Sequence, residues 1–200
     1  MAGKGGINLN PSGHLASKVP LLGFCAYGSG IGKTTLLTSL IPVLTARGLR
    51  ISVIKHAHHT FDIDHPGKDS YRLRESGAVQ MLLGSRHRWA LMTELSRIGD
   101  GREQEPELAE LLPHIDSSLI DLIVVEGFKN APIPKVEIYR PLLNKPLLAQ
   151  HDPNIIAVAS DGVVDTRLPV LNLNNPVEIS EFILRWLPTQ QAKLKLVSSL

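Results

Sequence analysis

Apolar positions along this chain fall into two rhythms. Short continuous runs, Leu21–Ala26, Ile51–Lys55, Leu122–Val125, Val136–Tyr139 and Ile155–Ala159, are too brief for helices and predict buried strands. Between them the spacing lengthens. Thr34–Arg47 places Leu37, Leu40, Ile41 and Leu44 on one helical face, with Gly48 as the stop. Val177–Leu187 does the same with Ile179, Phe182, Ile183 and Trp186. Asp69–Ser76 and Glu107–Leu112 predict shorter helices, and Pro42 predicts a kink in the first long one because it removes a backbone donor. Val79–Leu83 and Trp89–Thr93, separated by Gly84-Ser85-Arg86-His87-Arg88, predict a hairpin, and Arg97–Gln104 a loop. Strands alternating with helices predict an α/β, three-layer fold: a mostly parallel sheet with helices on both faces and the hairpin as an extension. Residues 1–18 and 189–200 lack periodicity and are expected to be a disordered leader and a flexible tail around one nucleotide-binding domain, 19–188.

The most informative stretch lies between the first strand and the first long helix: Gly28-Ser29-Gly30-Ile31-Gly32-Lys33-Thr34-Thr35. Glycines let successive N–H groups turn toward one point and form an anion nest. A helix beginning near Lys33 adds the positive end of its dipole. Ser29, Gly30, Ile31 and Gly32 then supply backbone donors, Lys33 reaches β- and γ-phosphates, Thr34 ligates Mg²⁺, and Thr35 meets the α-phosphate. One feature departs from G-x-x-x-x-G-K-[ST]. The first glycine would fall at Tyr27, and Gly28 stands one residue closer to Lys33.

Such a site calls for a carboxylate at the end of a neighbouring strand. Glu126 ends the run Leu122–Val125, which is apolar on both faces as a central parallel strand should be. Lys33 and Glu126 are therefore the candidate catalytic residues, and Thr34 and Glu126 the candidate metal ligands. A solvated strand end would be the better reading of Glu126 alone; the phosphate loop changes that balance.

Lys55–Arg74 carries His56, His58, His59 and His65, four of the eight histidines, with Asp62, Asp64 and Asp69 among them. It admits three readings: a transition-metal site, a polyanion site lined by Lys55, Lys68, Arg72 and Arg74, or a polar surface loop. Lys55 and His56 start it at the carboxyl end of a strand, where ligands bind in open α/β sheets, and are assigned to the nucleotide or cofactor site.

Composition narrows the partners. With 43% hydrophobic residues, 21 basic and 19 acidic residues and a net charge of +2, the chain has no general affinity for nucleic acid. No apolar run approaches the roughly 18–20 residues of a membrane helix, so no membrane partner is expected. Met1–Lys18 has no apolar centre and does not read as a secretory signal. The single cysteine, Cys25, fits a reducing, cytoplasmic setting.

The blocks SGIGKTTLL, IPVLTARG, IKHAHHTFDIDHPGKDSYRLRESGA, RWALMTE, LIVVEGFK and IIAVASD, spread over roughly residues 19–188, together resemble the molybdopterin-guanine dinucleotide biosynthesis protein B (MobB) family. The resemblance implies a P-loop NTPase-like fold, GTP and Mg²⁺ as ligands, weak GTPase activity and a homodimer. It also implies an accessory role beside the molybdenum cofactor guanylyltransferase, which performs the nucleotidyl transfer, with the molybdopterin cofactor as a further ligand. The hairpin is then either a dimer element or an extension of the monomer's own sheet. No arginine stands out as a finger for the developing phosphate charge. Asn144-Lys145-Pro146-Leu147 begins like a guanine-reading tetrad but ends in Leu147, which accepts no hydrogen bond. Asp161 is the better candidate for base reading, with Asn172 or Asn174 beside it, and the preference for GTP rests on the resemblance.

Two other functions compete. A small metabolite kinase would need lid arginines, for which Arg86, Arg88 and Arg102 are the candidates. A metallochaperone GTPase would bind metal through His56, His58 and His59.

Overall fold

In chain order the regular elements are β1 (Leu21–Cys25), α1 (Lys33–Ala46), β2 (Ile51–Lys55), α2 (Asp69–Glu75), β3 (Gln80–Gly84), β4 (Trp89–Thr93), α3 (Leu108–Leu111), β5 (Leu122–Glu126), β6 (Lys135–Tyr139), β7 (Ile155–Ser160), β8 (Val170–Asn172) and α4 (Pro176–Ser198). They come from a computed structural model that describes residues 9–10, 13–57, 61–98 and 105–198. Two units result, Met1–His56 with Glu107–Leu200, and Ala57–Pro106.

The larger unit is built on a six-stranded sheet in the order β2-β5-β1-β6-β7-β8, parallel throughout. β1 and β5 are buried at every position, as their unbroken apolar sequences require of strands covered on both faces. Leu36, Leu37, Leu40 and Leu44 of α1 and Ile179, Ile183 and Leu187 of α4 pack on one face, against Leu22, Phe24, Val124, Val136 and Ile138. On the other face Leu108 of α3 joins Leu21, Ile54, Ile123, Val125 and Ile133. The expected α/β architecture is what the strands and helices form.

Three placements differ from the sequence reading. Leu15, inside the segment expected to be a disordered leader, is 6% exposed and donates its N–H to the Pro132 carbonyl at 2.9 Å. A lone apolar residue among glycines and polar residues has no periodicity to reveal it. α4 continues through Pro188 to Ser198, where a tail was expected from residue 189. A proline forfeits one backbone hydrogen bond, which a long amphipathic helix tolerates. β8 was not expected at all; three residues are too few to show a pattern.

In the smaller unit, β3 and β4 pair antiparallel as their own two-stranded sheet, from Gln80↔Thr93 to Gly84↔Trp89. The hairpin therefore does not extend the six-stranded sheet. Arg74 of α2 is buried and donates to Glu94 Oε1 at 2.7 Å and to Asp62 Oδ2 at 2.8 Å. Arg97 donates to the carbonyls of Arg74 and Ala78. This network ties α2 to the segments flanking it, so Arg74 is committed to the fold of this unit and is not a free charge for a polyanion.

Candidate functional site

Parallel strands end on the same edge of a sheet, and here the strand order arrays those ends in a row. From β2 to β7 they present Lys55 with His56, then Glu126, the 26–32 loop, Arg140 and Asp161.

The loop after β1 turns on two glycines. Gly30 has φ +75° and Gly32 has φ +112°, conformations that side-chain-bearing residues rarely adopt. Tyr27 and Gly28 take ordinary backbone angles. The two positions whose backbone demands glycine are thus filled by it, and the displaced first glycine is not one of them. Helix α1 starts at Lys33 directly from Gly32, with no side-chain cap on its first N–H groups. Lys33 Nζ donates back to the Gly28 carbonyl at 2.8 Å, folded over the loop.

Thr34 stands one residue further on. Its Oγ1 donates to Glu126 Oε1 at 2.7 Å. The β2–β5 register runs from Ile51↔Leu122 to Lys55↔Glu126, which sets Lys55 alongside the carboxylate. Lys55 Nζ lies 3.3 Å from both Glu126 Oε1 and Thr34 Oγ1. Glu126 is only 7% exposed, and Thr34 and Lys55 both contact its Oε1. A hydroxyl and a carboxylate oxygen at this separation match neighbouring ligands of a Mg²⁺ octahedron, which stand about 2.9 Å apart for bonds of 2.0–2.1 Å. The donor set fits that ion, which Thr34 and Glu126 would hold.

His56 follows β2, gives its N–H to the Glu126 carbonyl at 2.9 Å and stacks its ring on Phe128, centroids 4.7 Å apart. Phe128 is held at φ +47°, a strained value for an aromatic residue and a mark of functional sites. His58 and His59 lie outside the described residues. Among those described, no group of three or more His, Cys, Asp or Glu is arranged to hold a metal. Cys25, next to the loop in sequence, is buried, and burial pushes its thiol up to about 12, so it is inert as a nucleophile.

Toward the other end, Asp161 follows β7 and accepts from Arg140 Nη1, while Arg140 Nε donates to the Ile31 carbonyl at 2.9 Å. Asn172 accepts from the Asn174 N–H at 2.9 Å in a local turn. Leu147 is buried, whereas Lys145 Nζ sits 5.8 Å from the centre of the Tyr27 ring. Arg86 and Arg88 occupy the exposed hairpin turn, and Arg102 lies outside the described residues. Sequence reasoning missed Arg140, Phe128 and the Lys145–Tyr27 pair. The rule that singles out Glu126, a polar residue at a strand's carboxyl end, would have found Arg140.

A parallel sheet with a glycine loop feeding the first helix, and a threonine–glutamate pair beside it, defines a P-loop NTPase-like α/β protein. Residues 21–161 match the family described as MobB, molybdopterin guanine dinucleotide synthesis protein B. The chain is 44% identical over 173 residues to the molybdopterin-guanine dinucleotide biosynthesis adapter protein of Escherichia coli strain K12, covering 86% of this chain and 95% of that one. It is 43% identical over 171 residues to the Haemophilus influenzae adapter protein of the same description, covering 86% and 91%. A crystal structure of molybdopterin-guanine biosynthesis protein B superposes with a TM-score of 0.64 at 28% identity, over 84% of this chain and 99% of that one. A MobB homologue from Bacillus stearothermophilus shares the fold, with a TM-score of 0.61, 22% identity and coverage of 84% and 98%. The chain belongs to the MobB family.

Proposed function

We propose that this protein is an adapter in molybdopterin-guanine dinucleotide biosynthesis that binds GTP with Mg²⁺ and hydrolyses it weakly, while a partner guanylyltransferase carries out the nucleotidyl transfer. The observation that carries the reading is the 2.7 Å link from Thr34 Oγ1 to Glu126 Oε1, formed where the helix after a glycine loop meets the end of a central strand. The N–H groups of Ser29, Gly30, Ile31 and Gly32 would cradle the phosphates, with Thr35 at the α-phosphate. Lys33 would exchange the Gly28 carbonyl for the β- and γ-phosphates. Lys55 and His56 flank the acidic end of the site and are positioned to meet the nucleotide or the molybdopterin cofactor. Asp161 supplies a carboxylate for the N–H edge of guanine.

The hairpin supports a homodimer. Leu82 pairs with Leu91 across the strands and Trp89 extends the same side; they are 63%, 45% and 67% exposed, an apolar surface that a second copy would cover. A cytoplasmic setting belongs to this reading and agrees with the lone, buried thiol.

Titration calorimetry with a non-hydrolysable GTP analogue and Mg²⁺ tests the reading. The wild-type chain binds, and Lys33→Ala, with an unchanged circular dichroism spectrum, loses at least tenfold in affinity. Equal affinity in the two proteins overturns it.

A further inference from the structure

The guanidinium of Arg140 meets three parts of the site at once. Nε donates to the Ile31 carbonyl at 2.9 Å, Nη1 pairs with Asp161 Oδ2, and Nη2 lies 3.2 Å from the place a Cβ on Gly32 would occupy. We propose that Arg140 is the positioning residue of the nucleotide site, one rigid cation that fixes the phosphate loop and the base-reading carboxylate in relation to each other. This rests on the nucleotide-binding reading above and assigns a role to a residue that reading leaves unused.

The physical argument begins with the peptide between Ile31 and Gly32. A trans peptide points its carbonyl and its N–H in opposite directions. Arg140 holds the carbonyl, so the Gly32 N–H of the same unit is turned away from Arg140. A charge-assisted hydrogen bond to the carbonyl also polarises the unit and makes that N–H a stronger donor to an anion. Arg140 therefore acts on the phosphates through a peptide, without touching them. Its other arm acts on Asp161. With Oδ2 engaged by Nη1, the carboxylate is fixed in rotation, and Oδ1 is left to accept from the purine. The ends of β6 and β7 are neighbours in register, Tyr139↔Ser160, so the pair spans one strand spacing and needs no loop rearrangement.

Only a planar fork of donors can serve both partners. Lysine carries the same charge but one point of contact, and at such a site the exchange is not conservative.

The test measures Kd for GTP and for ATP, each with Mg²⁺, together with single-turnover hydrolysis, in wild type, Arg140→Ala, Arg140→Lys, Asp161→Asn and the Arg140→Ala/Asp161→Asn double variant. Thermal unfolding of each confirms that the site is compared in folded protein. Arg140→Ala is expected to weaken GTP binding about 10- to 100-fold, the range for a hydrogen bond to a charged group, and to narrow the GTP-over-ATP ratio. Arg140→Lys recovers only part of the affinity. Loss in the double variant is smaller than the product of the single losses, because the two residues act as a unit. Wild-type affinity and discrimination in Arg140→Ala overturn the proposal while leaving the phosphate-loop reading intact. A loss of turnover at unchanged Kd also overturns it, since that marks a group acting on the developing charge. Full rescue by lysine does so as well, since charge alone would then suffice. A wild-type chain that binds no nucleotide removes both readings.

Discussion

Thr34 and Glu126 lie 92 residues apart in the chain and 2.7 Å apart in the fold, hydroxyl to carboxylate. Three features bring them together: the start of α1 directly after Gly32, the parallel pairing of β1 with β5, and the register that ends β5 on the acid. The pair joins the start of the helix after the glycine loop to the carboxyl end of a central strand.

If these two oxygens hold Mg²⁺, Glu126→Gln weakens the metal-dependent part of binding selectively. The affinity gained on adding Mg²⁺ to a GTP titration is expected to fall at least tenfold, while affinity in chelator changes by less than about threefold. Equal losses in both conditions would place Glu126 away from the metal.

Gly32→Ala tests the loop from its backbone. At φ +112°, and with Arg140 Nη2 3.2 Å from the new Cβ, alanine strains the loop and presses on the guanidinium. The cost is about 1–3 kcal/mol, or roughly 2–4 °C in Tm for each kcal/mol in a chain of this size. Calorimetry should show GTP affinity falling further than stability alone explains, because the donors themselves are misdirected.

Much of this site is legible in the sequence, and the reason is local. The glycine loop, Lys33, Thr34 and Glu126 each announce themselves through neighbours in the chain: a strand before, a helix after, or an apolar run that ends in a charge. Arg140 does so only in part: it follows the end of β6, as Glu126 ends β5, but its partners, Ile31 and Asp161, are 109 and 21 residues away, and no spacing rule connects them. The same holds for the fold. Long periodic helices and apolar strands are readable, whereas Leu15, the three-residue β8 and the separation of the hairpin from the main sheet depend on tertiary pairing. Asn144-Lys145 shows how a motif fragment can mislead: Leu147 is buried, and Lys145 lies over Tyr27.

The register of β2 on β5 has a pH-dependent anchor. Arg50 donates its backbone N–H at 2.9 Å and its guanidinium at 2.8 Å to Asp121, and these bonds hold the carboxyl down at about 2. A depressed folded value stabilises the protein fully above the unfolded carboxylate pKa of about 3.9, and the contribution is lost as pH falls toward 2. Asp121→Asn should lower Tm modestly at pH 7, Arg50 being exposed, and the gap to wild type should close between pH 4 and pH 2. A gap as large at pH 2 as at pH 7 would contradict the assignment.

The hairpin's apolar side gives a test of assembly. Leu82→Asp replaces a side chain that is 63% exposed in one chain, so within the monomer the change should stay within about 0.5 kcal/mol. In sedimentation equilibrium the wild type should run as a dimer and the variant as a monomer. An unchanged mass would move the interface elsewhere.

The most direct measurement is a crystal structure of the wild-type chain with a non-hydrolysable GTP analogue and Mg²⁺. The account predicts the terminal phosphates against the N–H groups of Ser29–Gly32, Lys33 released from Gly28, and Mg²⁺ between the Thr34 hydroxyl and Glu126. Phosphates bound away from the loop, or a metal that touches neither residue, would contradict it.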